Sequence, residues 1–95
     1  MNCAYVVGHI TVTNPEKWAQ YRSQVPVTLA PWGAELGFRG RQAAVLAGGN
    51  RHADIVVIRF PSRAAVDGWF ASPAYQSLIP LRQAAAEMDL LVYET

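Results

Sequence analysis

His9 stands in the middle of a β-branched run, Tyr5-Val-Val-Gly-His-Ile-Thr-Val12, and is the residue best suited to acid–base work near neutral pH. Arg39 and Arg59 could each hold a carboxylate or an enolate oxygen through charge-assisted hydrogen bonds. Tyr21 and Trp69 could grip an aromatic ring, the tyrosine adding one hydrogen bond. Together they describe an enzyme without cofactor. His9 would be the base, Arg39 or Arg59 would steady the anion, and Tyr21 and Trp69 would hold an enolisable aromatic substrate. Each residue also has a plainer reading. His9 can be a hydrogen-bonding group across a subunit interface, and the two arginines can pair with Glu35, Asp54 or Glu94 of a second subunit. Trp18, Tyr21, Trp32, Trp69 and Tyr75 can be core, because rings supply large buried area.

Other chemistries lack their residues. His52 lies in a polar loop and reads as solvated. Two histidines with no carboxylate at ligand spacing do not make a metal site, and nothing favours a lone axial histidine for haem, so no cofactor is expected. Cys3 is the only cysteine, which excludes an internal disulfide, and it has no base beside it to make it a nucleophile. No Ser–His–Asp set, phosphate-binding glycine loop or dinucleotide fingerprint is present.

The elements that must position these residues follow from pattern. Residues 5–12 read as a first strand, with Val6, Ile10 and Val12 on one face and Tyr5, Val7, His9 and Thr11 on the other. Asn14-Pro15 is a cap followed by a proline at the first helical position, and Trp18, Tyr21, Val25 and Leu29 form one apolar stripe. Pro26 should kink or split that helix, and Pro31 with Gly33 should end it. A second strand is expected from Glu35 to about Val45, Leu36 and Phe38 facing one way and Glu35 and Arg39 the other. Gly37 and Gly40 hint at a bulge in it. Gly48-Gly49-Asn50 signals a turn before a central strand, Ile55–Phe60. Ser62 can cap a helix from Arg63 with Val66, Trp69 and Phe70 on its buried side. Ser72-Pro73 restarts a helix that Pro80 bends, and Leu90–Tyr93 is the last strand. The order β-α-β-β-α-β is the ferredoxin-like split unit: an α+β fold whose four-stranded antiparallel sheet carries both kinked helices on one face.

Ninety-five residues make one domain, 1–95, that hides only about 60–65% of the surface of its unfolded chain. Charged residues are 16% against 52% hydrophobic, which excludes disorder and leaves more apolar surface than one small core covers. Of the two sheet faces, the one with Tyr5, Val7, His9, Thr11, Glu35, Arg39, Ile55, Val57 and Arg59 is half apolar. Hydrating it forgoes several kcal/mol at ~25 cal/mol per Å². A two-fold dimer with its sheets face to face recovers that energy. The net charge is +1 with no two basic residues adjoining, so neither nucleic acid nor a membrane surface is an expected partner. An RNA-binding domain shares the element order, but its third strand needs a basic-glycine-aromatic signature, and here that strand is Ile-Val-Val-Ile-Arg-Phe. With no apolar run of ~18 residues and no signal-peptide pattern, a cytoplasmic location is expected.

Four blocks resemble a known bacterial family. They are Tyr5 to Trp18, Gln24-Val-Pro26, Val56-Val-Ile-Arg-Phe-Pro-Ser62, and Trp69-Phe-Ala-Ser-Pro-Ala-Tyr-Gln76 with Leu81-Arg82. Across essentially the whole chain they look like the domain-of-unknown-function family DUF 1330, most specifically at Ser72-Pro-Ala-Tyr-Gln76. The resemblance implies a dimeric α+β barrel, in which ferredoxin-like protomers pair their sheets. It implies little about chemistry, because the wider superfamily includes cofactor-free monooxygenases, haem-handling enzymes and stress-responsive dimers. Two departures stand out. Arg59 replaces a glutamate usual before Phe-Pro-Ser, removing any acid–base role for it, and two customary glycine pairs read Gly33-Ala34 and Gly40-Arg41. The reading reached from sequence is a homodimeric binding or accessory module for a small aromatic or carboxylate compound. The alternatives are a cofactor-free monooxygenase or isomerase acting on a small aromatic or enolisable substrate, and a structural dimer without ligand.

Overall fold

The computed structural model describes residues 3–95. Strands β1 (Ala4–Val12), β2 (Glu35–Arg41), β3 (Asp54–Phe60) and β4 (Ala86–Glu94) form one antiparallel sheet in the order β2-β3-β1-β4. Helix α1 (Pro15–Leu29) connects β1 to β2, and α2 (Arg63–Ala71), α3 (Pro73–Gln76) and α4 (Ile79–Ala85) connect β3 to β4. This is the ferredoxin-like arrangement expected from the element order.

Local chemistry explains the boundaries. Asn14 accepts a hydrogen bond from the Lys17 N–H and Pro15 opens α1; Ser62 caps α2 through the Ala65 N–H, and Ser72 caps α3 through the Tyr75 N–H. Gly33, at φ 66°, closes the 3-10 turn Ala30–Trp32 that follows α1. Pro26 does not split α1. Arg22 and Pro26 are both exposed, so water can take the carbonyl bond that the proline cannot offer. The second helical region does break, into three pieces, with Pro80 in the first turn of the last one. Strand β2 stops at Arg41, four residues before Val45, whereas β4 begins at Ala86, earlier than Leu90.

One sheet face packs under the helices. Val6, Ile10, Val56, Ile58 and Phe60 from the strands meet Tyr21, Val25, Leu29, Val66, Trp69 and Tyr75 from the helices. Phe70 is not part of this core and stays exposed. The other face carries Tyr5, Val7, His9, Ile55 and Val57, half-buried, together with exposed Leu91 and Tyr93.

Strand β2 departs from the expected register. Leu36 pairs with Ile58, but Phe38 pairs with Val57 and Arg39 with Val56. The extra residue is Gly37, where a Cβ would lie 3.0 Å from the Val57 carbonyl oxygen, so the bulge needs a residue without one. Beyond the bulge every side chain changes face. Phe38 moves to the open face and is 54% exposed there; Arg39 moves to the helix side.

Candidate functional site

The register change decides what Arg39 can do. It is brought to the mouth of the cleft between α1 and the sheet, where it lines a small, partly open recess of about 20 Å³ with Trp18, Tyr21, Val25, Trp69 and Met88. Outside that recess, Arg39 and Trp18 also line a hollow of about 270 Å³ shared with Arg22, Arg41, Asp54 and Ile55. A third, shallower hollow of about 400 Å³ runs along Arg22, Pro26 and Leu36 and again ends on Arg39. Three of the sequence-derived candidates, Tyr21, Arg39 and Trp69, thus meet at one place.

The electrostatics of the mouth are one-sided. Arg22, Arg39 and Arg41 face the hollow with Asp54 as its single carboxylate. Among the described residues none of the three arginines has a carboxylate within 4 Å: the ion pairs are Arg51–Glu87, His52–Asp89, Arg59–Glu35 and those of Arg63. Burial in the cleft, and then the charge of Arg22, pull the Arg39 guanidinium below the ordinary arginine range, while Tyr21 acts the other way. Arg39 remains a cation at neutral pH, with Arg22 near it and no carboxylate within 4 Å.

Deeper in, the aromatic groups are fixed by hydrogen bonds. The Trp69 Nε1–H donates to Thr28 Oγ1 at 3.0 Å, and that hydroxyl donates to the Val25 carbonyl at 2.6 Å. Tyr21 and Tyr75 share a hydrogen bond of 2.9 Å between their hydroxyls, and Arg82 Nη1 donates to Tyr75 Oη at 2.8 Å. Trp18 stacks on Tyr21 with ring centres 5.3 Å apart, and Trp69 lies 4.2 Å from Tyr75. Burial first, then the neighbouring Tyr75, hold the Tyr21 hydroxyl above the usual tyrosine range, so it stays protonated.

The remaining candidates lie elsewhere. Arg59 is on the open sheet face, where it donates to Cys3 Sγ at 3.1 Å and approaches Glu35 at 3.7 Å. It shares no face with Arg39. His9 is on that open face too, its ring 6.5 Å from the His52 ring and its Nδ1 3.5 Å from the Asn50 amide nitrogen. His52 is not solvated. It is 3% exposed, with Nδ1 bonded to Thr11 Oγ1 at 2.8 Å and Nε2 to Asp89 Oδ2 at 2.9 Å, and it ties the β2–β3 loop across the end of the sheet. The enzyme reading with His9 as base beside Arg39 and Tyr21 is therefore not assembled within one protomer.

Sequence reasoning missed Arg22, Thr28, Tyr75 and Arg82 as parts of this site. The Trp18–Arg22 spacing of four placed the arginine on the face of α1 that carries Trp18, and that was the available signal. Thr28 joins the site through a contact 41 positions away in sequence, and Arg82 through Tyr75, seven positions before it. Among the described residues no group of three or more His, Cys, Asp or Glu is placed to hold a metal, and no helix is long and apolar enough to cross a membrane.

Comparison with solved structures agrees with the architecture. A protein of unknown function from Rhodopseudomonas palustris superposes with a TM-score of 0.82 at 17% identity, over 97% of this chain and 81% of that one. A protein from Jannaschia sp. CCS1, described as a dimeric ferredoxin-like protein of unknown function, gives 0.78 at 13% identity, over 98% and 99%. The cofactor-independent oxygenase SnoaB of Streptomyces nogalater gives 0.65 at 13% identity, over 97% and 90%. At these identities the likeness is one of fold. No curated protein matches the sequence. The family described as "Domain of unknown function (DUF1330)" matches residues 3–95, and the chain belongs to that family.

Proposed function

We propose that this protein is a homodimer that binds a small aromatic carboxylate in the hollow between α1 and β2. The observation that carries the reading is the pair Arg22 and Arg39, two guanidiniums at one cleft mouth with no carboxylate within 4 Å of either, beside Trp18. A bound anion offsets their mutual repulsion and accepts charge-assisted hydrogen bonds, and the indole supplies the apolar wall. A volume of about 270 Å³ is at the small end for ligand sites, which suits a one- or two-ring compound. The open sheet face, with Val7, Ile55, Val57, Phe38 and Leu91, supports pairing with a second copy, as does the description of the Jannaschia relative as dimeric.

Calorimetric titration with indane-5-carboxylate tests this directly. The wild-type protein should bind it, the neutral amide should bind at least about tenfold more weakly, and Arg39→Gln should lose a similar factor, as expected for one charge-assisted hydrogen bond. Equal affinity for acid and amide, or no effect of Arg39→Gln, overturns the reading. The oxygenase reading has the likeness to SnoaB in its favour, and the separation of His9 from Arg39 and Tyr21 against its simplest form.

A further inference from the structure

The small cavity behind the arginine mouth has a hydrogen too many. Arg82 donates to Tyr75 Oη, and the Tyr75 and Tyr21 hydroxyls meet each other; these two contacts involve three donor groups. Neither hydroxyl has any other partner among the described residues. Among the described residues every buried side-chain oxygen and nitrogen has a partner, yet one hydroxyl hydrogen is left without an acceptor whichever way the Tyr–Tyr bond points.

The two directions are not equivalent. If Tyr21 donates to Tyr75, the spare hydrogen sits on Tyr75, which is 0% exposed and does not line the cavity. A stranded buried donor of this kind is costly. If Tyr75 donates to Tyr21, the chain runs Arg82 to Tyr75 to Tyr21, and the spare hydrogen sits on Tyr21, which does line the cavity. Successive donors in one direction also polarise and strengthen one another. No side chain of the lining offers that hydrogen a nitrogen or oxygen acceptor. Its other polar side chains are the Trp18 indole, the Trp69 indole, whose N–H is already given to Thr28, and the Arg39 guanidinium, none of them an acceptor, and the Met88 thioether is a weak acceptor. The cavity is thus a donor-only recess in an aromatic wall, about 20 Å³ in volume, enough for a single oxygen-sized group. Trp18 and Arg39 stand between it and the outer hollow and belong to both.

We propose that the ligand of the arginine-lined hollow is an aromatic acid that also carries a ring-conjugated carbonyl oxygen, which passes Trp18 and Arg39 and accepts the Tyr21 hydroxyl hydrogen. This rests on the hollow being a carboxylate site. It adds a second recognition point of opposite demand: the carboxylate is read at the mouth, and a neutral acceptor oxygen is read in the recess. Tyr75 and Arg82 touch no ligand; they are positioning residues that set the direction of the chain. A hydroxyl or methylene in place of the carbonyl would fit the recess less well, because the recess supplies hydrogens and takes none.

The test is a matched pair, 1-oxoindane-5-carboxylate and indane-5-carboxylate, which differ only by a ketone in place of a methylene. In calorimetric titrations the ketone should bind the wild-type protein about tenfold more tightly, the worth of one good hydrogen bond. In Tyr21→Phe, with its fold checked by circular dichroism, that preference should fall to about one. If both acids bind the wild-type protein equally, the second recognition point is wrong and the carboxylate reading stands; this comparison needs no variant. A preference that survives Tyr21→Phe also overturns the assignment. If neither acid binds, the carboxylate reading fails and this inference goes with it.

Discussion

Replacing Thr28 by valine removes one oxygen from the middle of the molecule and changes the shape little. That oxygen receives the Trp69 indole N–H at 3.0 Å, and neither residue is open to water: Thr28 is 4% exposed and Trp69 2%. In the valine variant the indole donor has no acceptor and no solvent to turn to, which costs about 1–3 kcal/mol. The added methyl group returns up to about 0.8 kcal/mol. The net loss is about 1–2 kcal/mol, or roughly 5–15 °C in the melting temperature of a chain this size. Urea unfolding followed by far-ultraviolet circular dichroism measures it, at one fixed protomer concentration because dimerisation would make the midpoint concentration-dependent. A double-mutant cycle with Trp69→Phe isolates the cause. Once the indole N–H is gone, Thr28→Val should cost nothing or stabilise slightly. An equal loss in both backgrounds, or a valine variant as stable as the wild type, refutes the claim that this bond fixes the aromatic floor of the site.

Three further outcomes are expected. Val57→Lys places a charge in the middle of the open sheet face, opposite Val7 and Phe38; by analytical ultracentrifugation at micromolar concentration the variant should be a folded monomer and the wild type a dimer. Stability should fall as pH rises above ~10, because an unfolded tyrosine loses its proton there while buried Tyr21 keeps its own. The folded state then binds more protons, so the fall is up to about 1.4 kcal/mol per pH unit from this group, absent below that range and removed in Tyr21→Phe. Gly68→Ala would put a Cβ 2.3 Å from Trp32 Cζ3, and thermal melting should show a loss of about 1–3 kcal/mol, partly restored by Trp32→Val.

The strands, the caps at Asn14, Ser62 and Ser72, and the split β-α-β-β-α-β order are legible in the sequence because each rests on local chemistry. The site is only half legible. Tyr21 and Trp69 are recognisable as aromatic residues on helix faces that look inward. Arg39 is recognisable as a possible anion holder, but its face is not: a single extra residue at Gly37 reverses every side chain beyond it, and two glycines compete as the site of the bulge. An unbroken alternation puts Arg39 on the face of Arg59, and the bulge moves it to the other. His52 reads as a loop residue because its partners, Thr11 and Asp89, are about forty positions away on either side. The same distance hides the Thr28–Trp69 bond, and Arg82 reaches the site through one tyrosine only.

A crystal structure of the protein grown with indane-5-carboxylate tests the central claim most directly. The carboxylate should lie between the guanidiniums of Arg22 and Arg39 with its ring against Trp18. Density for the acid at the open sheet face beside His9 and Arg59 instead, or an unchanged hollow at saturating acid, would contradict the account.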